Sequence, residues 1–335
     1  MKKIKIAQIG MNTYSHSKEI FASLKKQRDI FEIVGYVLPE SERERLPSKV
    51  DILKDYKELT LEEVLNNPEI EAVTIETDEI YLTKYALMAV KAGKHIHMEK
   101  PGGRELEDFE ELIDIARNNG KVLHFGYMYR YNPFISELIQ KVRNGELGDI
   151  ISVEAQMNVS HPIAFRQWHE TFKGGVMFFL GCHLIDLVLL IKGIPNDVIP
   201  LNRSTGKENV YTEDFGMAVL KYDNGISFAK VNAAEIDGFK RRQLVVSGTK
   251  GTVEIKPLEE GVSDIPYGMR TYKKESYMPQ RSDNGVKVSS EVFARYDSMM
   301  KAFGKYVRGE EKNPYTLDYE LDLYKIILKA CARKD

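Results

Sequence analysis

The first 126 residues alternate between short apolar segments and amphipathic segments, and this alternation constrains the fold more than any other feature. The apolar segments are 4–9, 31–38, 71–77, 95–99 and 122–126. The principal amphipathic segments between them are 17–28, 80–92 and 105–119, and a capping box at Thr60 predicts a further short helix. Strands separated by helices of about ten to fifteen residues pair in parallel through right-handed crossovers. The pattern predicts an α/β domain with a doubly wound parallel sheet at residues 1–125.

Beyond residue 126 the periodicity changes to longer segments in which apolar and polar residues alternate. These segments are 150–159, 216–222, 226–234, 241–247 and 252–255, and hairpin turns are predicted at 223–225 and 248–251. The pattern predicts an α+β domain at residues 126–335 with an open, largely antiparallel sheet. Residues 258–288 show no regular period and are predicted to run over the surface. Helices are predicted at 133–144, 290–308 and 317–332.

Composition excludes several classes of protein. The 335 residues carry 48 Lys and Arg against 50 Asp and Glu, and no basic run suggests a nucleic-acid partner. No apolar run is long enough to span a bilayer, so no membrane partner is expected. The two cysteines, Cys182 and Cys331, cannot form a disulfide framework and are interpreted as free thiols in a reducing cytosol. The expected location is therefore cytoplasmic.

Two segments carry candidate catalytic side chains. Glu99-Lys100-Pro101 follows a predicted parallel strand, at the edge where open α/β sheets bind ligands. Lys100 could there stabilise negative charge on a substrate oxygen, although an isolated lysine at a strand end is more often solvated. His183 precedes an apolar helix and could act as general acid and base, and a structural histidine is an equal alternative.

Four long segments resemble the Gfo/Idh/MocA oxidoreductases, the family of glucose–fructose oxidoreductase and inositol dehydrogenase. They are "EAVTIET…ALMAVKAGKHIHMEKP", "GYMYRYNPFISELIQKVRNGELGDIISVEA", "GGVMFFLGCHLID" and "RRQLVVSGTKGTVEI". The resemblance implies a Rossmann-like first domain that binds NAD or NADP, and a sugar-like or polyol substrate held against the second domain. Relatives bury the open face of the second sheet against another subunit, so a homo-oligomer, dimer or tetramer, is expected.

The same resemblance implies roles for particular residues. The catalytic lysine and histidine fall on Lys100 and His183. The residues implied for the substrate are Tyr129, Arg130, Trp168, Phe179 and His183. The residues implied for the cofactor are Gly10, Met11, Asn12, Leu38, Thr77, Glu99 and Lys100.

The chain departs from the family pattern around both implied ligands. Asn12 and Ser15 stand where relatives keep glycines, and Leu38 stands where an acid would bind the ribose hydroxyls. Three acids, Glu76, Asp78 and Glu79, enter a loop that would face an anionic ligand. These changes predict weak dinucleotide binding. Phe179 replaces an aspartate four residues before the histidine, which predicts a lower pKa for His183 and a less polar pocket.

Three functions remain open on these residues. The favoured one is NAD(P)-dependent oxidation or reduction of a sugar, polyol or related hydroxy compound. A ligand-binding or regulatory protein that has lost dinucleotide-dependent catalysis is the alternative, and a redox-neutral enzyme with a tightly held cofactor is a third. No metal site is predicted, because His95 and His97 lack accompanying carboxylate or cysteine ligands.

Overall fold

The computed structural model describes residues 2–277 and 285–332. The chain divides into two compact units. The first comprises Met1–Tyr127 with Tyr296–Tyr324, and the second comprises Met128–Arg295 with Lys325–Asp335. Residues 296–324 thus belong to the first unit, whereas the sequence assigned them to the second domain.

The first unit contains a five-stranded parallel sheet, as predicted. Its strands are β1 (Ile4–Ile9), β2 (Phe31–Val37), β3 (Ala72–Ile75), β4 (His95–Met98) and β5 (Leu123–Phe125), in the order β2-β1-β3-β4-β5. The strand order reverses between β1 and β3, and ligands of doubly wound sheets bind beyond the carboxyl ends of the strands at such a point. The sheet is therefore the Rossmann-like arrangement that the sequence predicts.

Helices connect these strands and bury their apolar faces. They are α1 (Ser17–Lys26), α2 (Glu42–Arg45), α3 (Pro47–Val50), α4 (Leu61–Asn66), α5 (Leu82–Lys91) and α6 (Leu106–Asn118). The predicted capping box is confirmed, since Glu63 N–H donates to Thr60 Oγ1 and Thr60 N–H donates to Glu63 Oε2. A later helix, α10 (Asp297–Val307), also belongs to this unit, and α11 (Leu317–Ala330) continues from it into the second unit.

The second unit is built on an eight-stranded sheet in the order β15-β14-β11-β10-β6-β9-β8-β7. Its strands are β6 (Ile150–Asn158), β7 (Asp197–Pro200), β8 (Phe215–Tyr222), β9 (Gly225–Asn232), β10 (Gln243–Gly248), β11 (Thr252–Ile255), β14 (Tyr272–Ser276) and β15 (Lys287–Ser289). Every pair is antiparallel except β6 with β9. The prediction of an open, largely antiparallel sheet is confirmed.

Among the described residues, three further α-helices lie wholly in this unit, and one differs from expectation. They are α7 (Pro133–Arg143), α8 (Ile163–Trp168) and α9 (Cys182–Lys192). Asn132 caps α7 by accepting from the amides of Phe134 and Ile135, as the Asn-Pro pair predicts. One turn of π-helix, Met177–Gly181, runs directly into α9, so the helical segment begins before the predicted start.

Residues 258–277 and 285–288 contain short strands that the absence of a regular period did not predict. Besides β14 and β15, a small three-stranded sheet contains β12 (Glu260–Gly261), β13 (Gly268–Arg270) and β16 (Phe293–Ala294). Strand β14 extends the main sheet by pairing with β11. Residues 278–284 of this segment lie outside the described residues. Among the described helices, none combines the length and apolarity needed to cross a bilayer.

Candidate functional site

The turn after β1 is tight and requires glycine at its first position. Gly10 has φ +93°, and a Cβ added there would lie 2.5 Å from Thr77 Cγ2 and 2.7 Å from the Thr77 nitrogen. Gly10 N–H donates to the carbonyl of Val37. Gly10 therefore allows the turn after β1 to pack against the backbone that follows β3.

Two backbone amides of this turn are bound by the chain's own carboxylates. Met11 N–H donates to Glu42 Oε2 at 2.8 Å, and Thr13 N–H donates to Asp78 Oδ1 at 2.6 Å. The carbonyls of Asn12 and Ser15 accept from Lys49 Nζ at 2.8 and 3.1 Å. The turn is thus bonded on both its amide and its carbonyl groups to α2, α3 and the segment after β3.

Three of the predicted cofactor residues direct their side chains into the protein. Met11 is fully buried in a cluster with Phe21, Tyr36 and Leu53, and Leu38 packs against the same cluster. Asn12 is also fully buried, and its Oδ1 accepts from Ser17 Oγ. A ligand at this turn would therefore contact backbone groups, rather than side chains, of Met11, Asn12 and Leu38.

The three acids after β3 do not act as a group of surface charges. Glu76 and Glu79 are fully buried, and none of their carboxyl oxygens has a hydrogen-bond partner among the residues that the structure describes. Burial raises the pKa of Glu76 well above its usual value and that of Glu79 to about 8, which favours the neutral form of both groups. Asp78 instead binds Thr13 and forms an ion pair with Arg45. The expected repulsion of an anionic ligand by three charges therefore reduces to Asp78 alone.

Lys100 lies immediately beyond the carboxyl end of β4 and is buried. Its side chain is 4% exposed, and Nζ lies 3.7 Å from Glu99 Oε1. Glu99 Oε1 also accepts from Lys100 N–H at 2.9 Å. The predicted pair is therefore adjacent and preorganised, and the structure excludes the alternative that Lys100 is a solvated strand-end lysine.

Glu79 makes the stability of the protein depend on pH. Its pKa of about 8 lies above the usual 4.5, so the folded state holds this proton more tightly than the unfolded state. The contribution to stability is therefore complete below pH 4.5 and is lost as pH rises through about 8. We expect the free energy of unfolding of Glu79→Gln, taken relative to that of the parent, to be a few kcal/mol higher at pH 9 than at pH 5. This magnitude follows because each unit of pKa shift corresponds to ~1.4 kcal/mol.

Urea unfolding of the two proteins at both pH values measures this difference. The matched control is Glu62→Gln, which removes an exposed carboxylate from the first turn of α4. A Glu79→Gln effect that is the same at pH 5 and pH 9 would show that Glu79 is not held neutral.

The histidine side chains of β4 and β5 contact other residues of the first unit. His97 Nδ1 lies 2.8 Å from His124 Nδ1, and burial lowers the pKa of His97 to about 3. His95 Nδ1 accepts from Val122 N–H. Across residues 2–277 and 285–332, no group of three or more His, Cys, Asp or Glu side chains is arranged to hold a metal ion.

In the second unit, His183 is the second residue of α9 and is 3% exposed. Its ring meets Tyr129 edge-on, with centroids 5.6 Å apart. The expected effect of Phe179 on His183 requires the two side chains to share one face of an α-helix, as residues four apart do. Phe179 lies in the preceding π turn, where this α-helical spacing does not apply. π turns inside helices occur frequently at functional sites.

Phe179 and Trp168 belong to a cluster of stacked and edge-on rings. The Phe179 ring lies 5.5 Å from Trp168 and 5.5 Å from His169, and Phe165 and Phe172 also contact it. His169 and Phe172 line a neighbouring pocket of about 640 Å³ in the second unit. The lining of that pocket does not include His183, so the pocket is separate from the predicted catalytic histidine.

Arg130 and Tyr129 are bound within the second unit. Arg130 forms a two-pronged ion pair with Asp186, with Nη2 2.8 Å from Oδ1 and Nε 3.0 Å from Oδ2, and both side chains are 1% exposed. Tyr129 Oη donates to Glu259 Oε1 at 2.9 Å. Glu259 also pairs with Arg242 and Arg295. Arg130 and Tyr129 are therefore parts of buried networks of ion pairs and hydrogen bonds.

Sequence reasoning missed the partners in these networks. Asp186 ends the G-x-H-x-x-D pattern at 181–186, and this position was the only local signal for its role. Glu259 lies 130 residues from Tyr129, and Glu42 lies 31 residues from Met11. No local pattern links residues at such separations.

Known proteins of similar sequence match both parts of the chain. The matching curated relatives include scyllo-inositol 2-dehydrogenase (NADP(+)) of Bacillus subtilis strain 168, 25% identical over 228 residues, which are 66% of this chain and 61% of that protein. Another is 1,5-anhydro-D-fructose reductase of Ensifer adhaerens, 26% identical over 198 residues, which are 58% of this chain and 59% of that protein. The matched region thus spans about three-fifths of the length of these two relatives.

Solved structures share the fold at lower identity. Aldose-aldose oxidoreductase from Caulobacter crescentus, complexed with glycerol, has a TM-score of 0.78 at 18% identity, with 99% of this chain and 98% of that chain covered. A 3-ketoreductase from Actinomadura kijaniata, in complex with NADP and TDP-benzene, has a TM-score of 0.78 at 15% identity, with 97% and 96% covered. At these identities the likeness establishes the fold alone.

Family models cover each part of the chain in turn. Residues 4–127 match the model described as an oxidoreductase family with an NAD-binding Rossmann fold. Residues 135–254 match the model of the GFO/IDH/MocA C-terminal domain. The chain therefore belongs to the Gfo/Idh/MocA family of oxidoreductases.

Proposed function

We propose that this protein is an NAD(P)-dependent oxidoreductase that acts on a CH–OH group of a sugar, polyol or related hydroxy compound. The observation that carries the proposal is the buried Glu99–Lys100 pair beyond β4. Lys100 has an exposed fraction of only 3% and lies at the ligand-binding edge of a doubly wound sheet, where a buried charge is unusual. A role toward a bound ligand accounts for it.

Two residues of this chain would perform the proton and charge chemistry. The Lys100 ammonium would polarise the C–O bond of the reacting group and stabilise negative charge on its oxygen. His183 would take the hydroxyl proton during oxidation and return it during reduction. The nicotinamide cofactor, when bound, supplies the hydride acceptor or donor.

The residues after β3 fit the nicotinamide end of such a cofactor. The carboxyl groups of Glu76 and Glu79 are buried and accept no hydrogen bond from the described residues, although His97 Nε2 lies 3.7 Å from Glu76 Oε1. In their neutral form they can both donate and accept hydrogen bonds, as the hydroxyl and carboxamide groups of a nicotinamide riboside require. Glu99 and Lys100 would contact the same end.

Substrate class and cofactor follow from the names of relatives. Scyllo-inositol 2-dehydrogenase is named for NADP(+), and 1,5-anhydro-D-fructose reductase is named for a sugar derivative. A hydroxylated ring is therefore the first substrate class to test, with either NAD or NADP.

A homo-oligomer, dimer or tetramer, belongs to the same proposal. Apolar side chains on the second sheet and the chain beside it remain between 41% and 58% exposed, namely Ile151, Ile199, Leu201 and Ile226. An apolar surface of this kind is typical of a subunit interface. We expect light scattering to give a mass of at least twice 38.4 kDa, and a monomer at micromolar concentration would contradict the proposal.

The alternative is a ligand-binding member of the family without dinucleotide-dependent catalysis. The observation that favours it is the bonding of the Met11 and Thr13 amides to Glu42 and Asp78. A screen of inositols, aldoses, anhydro sugars and hydroxy acids with NAD⁺ and NADP⁺, followed by absorbance of the reduced cofactor, separates the two functions. Reduction with one substrate class supports the oxidoreductase, and tight substrate binding without reduction supports the alternative.

A further inference from the structure

The segment between β2 and α4 contains a strap, residues 39–50, that is bonded to the turn after β1. Its two short helices, α2 and α3, follow β2 at the point where dinucleotide-binding domains hold the adenosine ribose. Lys49 Nζ binds two carbonyls of the turn, and Glu42 binds one amide. The strap therefore contacts the part of the chain that would hold a pyrophosphate.

Other contacts fix the strap to the rest of the first unit. Glu40 accepts hydrogen bonds from Lys84 Nζ at 2.6 Å and Tyr85 Oη at 2.7 Å on α5. Arg45 Nη1 lies 3.2 Å from Asp78 Oδ2 beyond β3. The strap is thus held at several separate points.

The two carboxyl groups on the turn occupy the donors that an anion would use. Glu42 Oε2 accepts from the Met11 amide, Asp78 Oδ1 accepts from the Thr13 amide two residues further along the turn, and Asp78 Oδ2 accepts from Thr13 Oγ1. Backbone amides after the first strand of a doubly wound domain are the donors that hold the pyrophosphate of a dinucleotide. A carboxylate and a phosphate compete for the same N–H groups and repel each other.

We propose that Asp78 and Glu42 act as internal competitors for the dinucleotide pyrophosphate and thereby set the affinity of this protein for its cofactor. The proposal rests on the proposed function for the identity of the ligand. Binding of a dinucleotide would require the two carboxyl groups to leave the turn. This competition would add a second cause, Asp78 and Glu42, to the missing glycines that predict weak cofactor binding.

Asp78 contributes more than Glu42 because of its charge. Burial raises the pKa of Glu42 to about 8, so at pH 7 this group is mainly neutral and competes only as a hydrogen-bond acceptor. Asp78 is 6% exposed and is paired with Arg45. Removing its charge should therefore have the larger effect on an entering anion.

The test is equilibrium binding of ADP-ribose and NADPH, measured by calorimetry at pH 7, to Asp78→Asn, Glu42→Gln and the parent. ADP-ribose carries the pyrophosphate without the nicotinamide. We expect Asp78→Asn to tighten the binding of both ligands at least tenfold and Glu42→Gln to tighten it by a smaller factor. Glu69→Gln removes an equal charge near the opposite ends of the strands, where Glu69 pairs with Lys5, and should leave affinity unchanged.

The outcomes separate this inference from the proposed function. Tighter ADP-ribose binding without turnover of any substrate would support the inference while contradicting the oxidoreductase. Unchanged or weaker binding in Asp78→Asn, in a protein that turns over its substrate, would overturn the inference alone. If Asp78→Asn does not fold, Asp78→Ser keeps an oxygen acceptor for Thr13 N–H, and the same criteria apply to it.

Discussion

Lys100→Met should lower kcat about 100- to 1,000-fold while leaving the fold intact. Methionine keeps the length of the buried side chain and removes only the ammonium group, which lies 3.7 Å from Glu99 Oε1. Loss of one preorganised donor to a developing oxyanion has this effect in other enzymes. Steady-state rates with the substrate identified by the screen, together with a thermal melt, measure it.

A second buried lysine provides the matched control for this experiment. Lys94 is 3% exposed, precedes the opposite end of β4, and donates to the carbonyl of Asn67. Lys94→Met should leave kcat near that of the parent. Equal kcat values for Lys100→Met and the parent would remove Lys100 from the catalytic site. Lys100→Ala is less informative, because the burial of Lys100 means that alanine would also leave a cavity.

Asp186→Ala should lower the free energy of unfolding by about 3–5 kcal/mol. The substitution leaves the Arg130 guanidinium buried without its carboxylate, and uncompensated buried charges have this effect on stability. Urea denaturation of the variant and the parent gives the difference. The result bears on function, because it decides whether Arg130 is a structural residue or a residue kept for substrate.

Two further variants serve as controls for the effect of Asp186→Ala on stability. Arg130→Met combined with Asp186→Leu removes both charges and should recover most of the lost stability. Asp197→Ala, which breaks the exposed pair with Lys221, should change stability little. A loss of less than 1 kcal/mol in Asp186→Ala would show that the Arg130–Asp186 pair is not essential to the fold.

The features that sequence predicted well are those set by residues close together in the chain. The strands of the first sheet are short, mainly apolar segments, because parallel strands are buried on both faces. The capping box of α4 and the Asn132 cap of α7 depend on residues three or fewer positions apart. The family resemblance then joined these local elements into two domains.

The features that sequence missed depend on distant contacts or on unusual composition. Strand β14 has the sequence YKKES, and it forms a strand because β11 and β15 pair with its two edges. The π turn at 177–181 has no periodicity that distinguishes it from an α-helix. The burial of Glu76 and Glu79 was also missed, because acids in a loop predict exposure.

The sequence placed Lys100 at the end of a strand, and it did not predict the electrostatics around that residue. The position of Lys100 follows from the end of β4, which the sequence locates to within one residue. The roles of Glu42 and Asp78 could not be predicted, because each depends on a partner at least 31 residues away. Which substrate occupies the site stays a prediction from relatives.

The proposed function requires that hydride passes between a nicotinamide and a carbon of the substrate on this protein. Mixing the protein with reduced cofactor that carries deuterium on the transferring carbon, together with the oxidised form of the substrate found in the screen, tests it most directly. Mass spectrometry of the product should show one deuterium per molecule formed, and this transfer should be strongly reduced in Lys100→Met. Product without deuterium, or binding of the compound with no product, would contradict the account.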